Sequence, residues 1–225
     1  MELNLYEEFI LLSLDKVKGK FLIDALSVNY GLAGAILLQL SQNENIIIDN
    51  KKIKLKNKKQ TGDKILNNTL DLILKSKKYR NAKYWVNKIG SKAGSTRNDI
   101  LVQLCDKKLI KVQKNKFLWI FRYTNYPIIN SDQVDEIIVR LKDIVLNYQK
   151  PDINSVLLLS LMNSCKLTRI LFIDKKDHKI ANKRIKELTK DIEIGEAVSQ
   201  TIKEIQTAVL VASTSVFLAA GASNT

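Results

Sequence analysis

At 225 residues the chain is long enough to bury a substantial core, and one domain spanning residues 1–225 is expected. Its 45% hydrophobic and 27% charged residues suit a globular protein, and two prolines with eight glycines argue against a loop-rich or all-β chain. The formal net charge of +14 is unevenly placed: residues 51–125 hold 21 Lys and Arg against 4 Asp and Glu. Clustering of that kind points to an anionic partner, either a membrane surface or a nucleic acid. The plain alternative is a solvated, lysine-rich face.

The opening residues, Met1-Glu2-Leu3-Asn4-Leu5-Tyr6-Glu7-Glu8, are acidic and lack a basic n-region, so no secretory signal is expected. The longest apolar stretch, 208–222, is interrupted by Ser213, Thr214 and Ser215. At about 15 residues it falls short of a bilayer span and reads as a buried core helix. Cys105 and Cys165 match no metal or redox spacing and read as buried, reduced thiols in a cytosolic protein. His178, the only histidine, reads as a solvated residue of a charged turn. Without a nucleophile motif, metal-ligand spacing or phosphate-binding glycine loop, no catalytic residue, metal or cofactor is assigned, and an enzyme is not expected.

In chain order, Leu5, Phe9 and Leu12 recur at helical spacing and predict a helix over 5–14, with Glu7 and Glu8 favoured in its first turns by the helix dipole. Gly19 breaks the chain in a turn over 15–20. Residues 21–28 fit a short helix or an extended segment, and a second helix is expected over 31–40, where Gly31 and Gly34 share a face and allow close backbone approach. Ile46-Ile47-Ile48 predicts a strand paired with one through Ile53 and Leu55. A basic loop leads to Asp63, the expected N-cap of a helix to Leu74 with Ile65, Leu66, Leu70, Leu72 and Ile73 inward. Trp85 falls in a short helix ending near Gly90. Ser95 or Thr96 is the expected cap of the next helix, whose core face holds Ile100, Leu101 and Leu104.

Strands over 109–112 and 117–122 are expected around a basic turn, Gln113-Lys114-Asn115-Lys116. In the second strand Phe117, Trp119 and Phe121 would share one face and Leu118 and Ile120 the other. Both faces are apolar and need cover. Beyond Pro127 the pattern is helical: 132–148, a helix opened by Pro151-Asp152, then 179–190 and 193–220. The fold class is therefore mainly α, a helical bundle with one or two short β-hairpins, one of them protruding and apolar.

Several of these stretches, taken in order, resemble the Golgi phosphoprotein 3 family. They are Leu5-Tyr6-Glu7-Glu8-Phe9-Ile10-Leu11-Leu12, Gly31-Leu32-Ala33-Gly34 before an apolar helix, and Thr61-Gly62-Asp63 after a basic loop. Leu104-Cys105-Asp106-Lys107-Lys108-Leu109-Ile110 before a hairpin, and Pro151-Asp152, complete the set. The brief N-terminus and the richness in lysine, isoleucine and asparagine are similar to the shorter bacterial members. The resemblance implies a single helical domain that binds phosphatidylinositol 4-phosphate peripherally on a membrane's cytoplasmic face, on the Golgi where the host is eukaryotic. It also implies binding of protein tails, and self-association through the hairpin.

The family's head-group pocket uses a tryptophan seven residues before the Gly-Leu-x-Gly motif, an arginine at x, and two basic residues three apart before the hairpin. Here those positions hold Asp24, Ala33, Gly94 and Arg97. The resemblance thus leaves Arg97, with Lys92 nearby, as the candidate head-group residues, and Phe117, Leu118, Trp119 and Phe121 as the membrane-insertion hairpin. Two further readings are weighed beside anionic-lipid binding. One is a protein adaptor or self-assembling module for acidic partners. The other is nucleic-acid binding through residues 51–125, which is disfavoured because Arg97 is the only basic residue between Gly94 and Asp106.

Overall fold

The computed structural model describes residues 2–57, 59–117, 121–190 and 204–214. The fold is mainly helical, with two small antiparallel hairpins. Helix α1 (Leu5–Leu12) is buried along its whole length and crosses α2 (Ala25–Gln42). The crossing is close because Gly31 of α2 has no side chain: a Cβ there would strike the Phe9 ring and lie 2.8 Å from the Cys165 sulfur. Gly34 does the same for Val209 and Leu161. The expected packing role of these two glycines is therefore present. Helix α2 begins six residues before the expected start, because Asp24 caps it: its carboxylate accepts the Ser27 N–H at 2.8 Å and the Ser27 hydroxyl at 2.6 Å.

Strands β1 (Ile46–Asp49) and β2 (Lys52–Leu55) pair through a tight turn in which Asn50 and Lys51 both have positive φ. Ile46, Ile48 and Ile53 are buried beneath the hairpin. Asp63 caps α3 (Lys64–Leu74) as expected, accepting the N–H groups of Ile65 and Leu66. It also accepts the Tyr6 hydroxyl, so the starts of α1 and α3 share one carboxylate. Leu72, expected inward on α3, is exposed instead. Helix α4 (Ala82–Gly90) buries Trp85, and Gly90 lies against the Tyr30 ring of α2.

Helix α5 (Ala93–Asp106) starts earlier than expected, with Lys92 rather than Ser95 or Thr96 at its N-cap and no side-chain cap bond. Ile100, Leu101 and Leu104 are buried on it.

The second hairpin corrects the sequence reading. Strand β3 (Gln113–Phe117) consists of the residues assigned to the turn, and β4 (Phe121–Asn125) begins where the second strand was expected to be ending. Phe117 and Phe121 are cross-strand partners, not members of one strand. Leu118, Trp119 and Ile120 fall between the strands and lie outside the described residues.

Helices α6 (Ser131–Leu146), α7 (Ile153–Ser164), α8 (Thr168–Leu171) and α9 (Lys175–Lys190) follow, and residues 204–214 are helical. Val134, Ile137, Leu141, Ile144 and Val145 face the core, while Ile138 is half-buried. Asp152 caps α7 through the Ser155 N–H. His178 sits in the first turn of α9, half-buried, with Nε2 at 3.0 Å from the Asn182 amide nitrogen, so it is not a solvated turn residue. Cys165 is buried, and burial pushes its thiol up to about 12. Cys105 is only half-buried, and both thiols are free. In the C-terminal segment Ile205, Ala208, Val209 and Ala212 join the core, while Leu210 and Val211 are exposed; residues 215–222 of that apolar stretch lie outside the described residues. No helix among the described residues is long and apolar enough to cross a membrane.

Candidate functional site

The candidate cations belong to α5. Arg97 lies just past the first helical turn and is half-buried. Its Nη1–H donates to the Asn29 side-chain oxygen at 3.1 Å, and its guanidinium sits over the Phe21 ring, 5.3 Å from the centroid. The ring and the amide fix the plane of the guanidinium, a geometry in which arginine recognises oxyanions. Its Nε–H is buried without a partner, and no carboxylate pairs with Arg97 among the described residues. A half-buried cation with a spare donor and no counter-charge is open to an anionic ligand.

The start of α5 adds to this. Its first N–H groups have no side-chain cap, and such groups attract anions. At Gly94 an added Cβ would meet nothing within 4 Å, so the space in front of this turn is open.

Lys92 is exposed at the N-cap, five positions before Arg97. Helical periodicity puts residues five apart on different faces, about 140° around the axis. The structure therefore places Lys92 at the edge of the site and not beside the guanidinium.

The other family positions are occupied structurally. Both oxygens of Asp24 are engaged by Ser27, and Ala33 is fully buried between helices. Asn29 and Phe21 were missed by the sequence reading. Asn29 is 68 positions from Arg97, and no local pattern marks either residue as its partner.

Part of the wider basic segment lies on the two hairpins. Lys51, Lys52 and Lys54 stand on the first hairpin, bound to the α3–α4 loop by the Ile53 N–H donating to the Arg80 carbonyl at 2.8 Å. Lys111 leads into the second hairpin, and Lys114, Lys116 and Arg122 lie on it, all exposed. Three exposed tyrosines each lie beneath a cation: Tyr79 under Lys54, Tyr84 under Arg80 and Tyr123 under Lys20.

No cluster of His, Cys, Asp and Glu arranged to hold a metal ion occurs among the described residues. The described residues form a helical scaffold with two basic hairpins and an arginine near an uncapped helix start. The family model for Golgi phosphoprotein 3 (GPP34) matches residues 5–205, and the chain belongs to that family.

Proposed function

We propose that the chain acts as one unit that binds anionic membrane surfaces peripherally. In this reading a phosphate-bearing head group is taken by Arg97, assisted by the first-turn amides of α5 and by Lys92 at the edge. The observation that carries the reading is the Arg97 guanidinium, oriented by Asn29 and Phe21, whose buried Nε–H has no partner and which has no carboxylate beside it among the described residues.

Basic residues near an anionic surface contribute roughly 1 kcal/mol each, so the two basic hairpins supply long-range attraction. Phe117, Leu118, Trp119 and Phe121, from the end of β3 to the first residue of β4 in sequence, supply the apolar insertion. Family membership supports phosphatidylinositol 4-phosphate as the head group. With Asp24 at the family's tryptophan position, and Ala33 and Gly94 at two of its basic positions, the weight of recognition falls on Arg97.

Liposome co-sedimentation tests the reading with three vesicle sets: neutral, generic anionic, and phosphatidylinositol 4-phosphate at matched charge. Preference for the phosphoinositide supports head-group recognition. Equal binding to both anionic sets reduces the function to charge and hairpin insertion. Unchanged binding by an Arg97→Gln, Trp119→Ala double variant would defeat the assignment of these residues.

A further inference from the structure

The first hairpin and the loop that leads into α4 form a second charged surface, and it shares no residue with the Arg97 site. The sequence from 72 to 98 holds no acidic residue, and Lys77, Lys78, Arg80 and Lys83 fall within it, all exposed. Lys51 at the hairpin turn lines one shallow cavity with Asn81 and Lys83, while Lys77, Lys78 and Tyr79 line another. Asp49 pairs with Lys54 on this surface, and Glu204 lines the first of the two cavities.

Its rings set this surface apart from a merely lysine-rich face. Tyr79 is 64% exposed and Tyr84 is 38% exposed. The Lys54 ammonium lies 5.3 Å from the Tyr79 ring centroid, and the Arg80 guanidinium lies 4.9 Å from that of Tyr84. The backbone explains the first pairing. Ile53 and Arg80 form an antiparallel bridge, which sets Lys54, the residue after one, opposite Tyr79, the residue before the other. Asn81 then caps α4 by accepting the Tyr84 N–H at 2.9 Å, and the Ser76 hydroxyl donates to the Lys78 carbonyl at 2.7 Å. The loop is thus held in place, and each ring is steadied by a cation while still open to solvent.

Cations interleaved with exposed rings suit a run of unpaired nucleotides, with phosphates on the cations and bases on the rings. A bilayer surface also attracts the cations. It rewards aliphatic ends that reach past them, however, whereas bases reward flat ring faces set among them. A duplex keeps its bases stacked inside, away from such rings.

We propose that this surface binds single-stranded nucleic acid, with Tyr79 and Tyr84 stacking on bases and Lys77, Lys78 and Lys83 meeting the phosphates. Stacking and phosphate contacts are common to RNA and DNA, so either sugar can supply the strand.

The test is fluorescence anisotropy on the full chain with labelled oligomers of about twelve nucleotides: oligo-uridine, oligo-deoxythymidine, an abasic strand with the same phosphates, and a duplex. At low salt the two single strands with bases are expected to bind at least about tenfold more tightly than the abasic strand or the duplex. The Tyr79→Ala, Tyr84→Ala variant should lose that advantage. The Tyr79→Phe, Tyr84→Phe variant should keep it, because stacking needs the ring and not the hydroxyl. The Lys77→Gln, Lys78→Gln, Lys83→Gln variant should weaken every strand and lower the salt slope of single-strand binding by about 2.

Tighter binding of the uridine strand assigns RNA, tighter binding of the deoxythymidine strand assigns DNA, and equal binding assigns a single strand of either sugar. No complex at low salt overturns the proposal. So does equal affinity for the abasic strand, which reduces the surface to diffuse charge, and so does an alanine variant that binds as the parent does. The abasic comparison uses the unaltered chain, so it decides even where a variant fails to fold. The alanine variant should retain parental binding to anionic liposomes; a loss there equal to its loss on the strands would give the surface to the membrane and overturn the strand assignment.

Discussion

At the start of α1, Glu7 is 1% exposed and meets Lys107 at 2.7 Å, and Glu8 beside it meets Arg140 at 2.9 Å. Just past the first turn of α5, Arg97 is half-buried and meets an amide and an aromatic ring but, among the described residues, no carboxylate. Near the start of a helix, charge is thus held in two ways. Where the charges are matched, they join α1 to α5 and α6 and are spent on the fold. Where the cation is left unmatched, the fold loses some stabilisation there and the site gains a ligand-ready group. A buried pair broken on one side costs far more than the intact pair contributes. The two regions should therefore respond differently to losing a cation.

The largest expected effect is on the matched side. Lys107→Ala leaves the Glu7 carboxylate buried with only the Asn4 N–H, at 2.9 Å, as compensation. It should destabilise the protein by about 3 kcal/mol in urea denaturation. A loss below about 1 kcal/mol would mean that Glu7 is not the buried anchor its surroundings imply.

Next comes Arg140→Gln, whose deficit should depend on pH. Burial raises the Glu8 carboxyl above its ordinary 4.5, and attraction to Arg140 opposes that rise. A carboxyl raised in the folded state favours folding when protonated and loses that contribution as pH climbs through its folded value. Without Arg140 the rise is larger. The variant should therefore be about 2 kcal/mol less stable than the parent at pH 7, and the gap should close as pH falls toward 4.5. Denaturation curves at pH 7 and pH 4.5 with parallel deficits would contradict this account.

On the unmatched side the order reverses: function moves and stability does not. Arg97→Gln should lower the unfolding free energy in urea denaturation by less than about 1 kcal/mol, since no buried partner is orphaned. Binding to anionic liposomes should fall more than about tenfold, as expected for a charge-assisted contact. The smallest effect is that of Lys92→Gln, at most about 1 kcal/mol of liposome affinity, because an exposed lysine off the guanidinium face acts only through the surface potential. Equal losses for the two variants would erase the distinction between site and edge.

The elements read well from sequence are those whose signals are local. The Asp63 cap, the isoleucine strand pair and the Gly31/Gly34 contact each depend on residues a few positions apart. The second hairpin misled because its apolar run looked like a strand and Gln113-Lys114-Asn115-Lys116 looked like a turn. The observed register instead pairs Gln113 with Asn125 and Phe117 with Phe121, leaving the apolar residues between the strands. The start of α2 was legible in principle, since Asp24 and Ser27 have capping spacing, but the glycines drew the boundary inward. The buried fate of Glu7 and Glu8 had no local signal, because their partners lie 100 and 132 positions away. The candidate site was legible only as Arg97; what makes it distinctive, the ring and amide that hold it, is tertiary.

The carboxylate of Asp63 accepts the Tyr6 hydroxyl while capping α3. The loop between β2 and Asp63 is therefore clasped at its far end to the first helix of the chain. A protease that cut this lysine-bearing loop near Lys59 would sever the backbone without separating the halves. The N-terminal piece, carrying α1, α2 and the first hairpin, would stay seated in the shared core and hooked to α3 by its tyrosine. On a native gel the nicked molecule would run as one species, and only denaturant would reveal two.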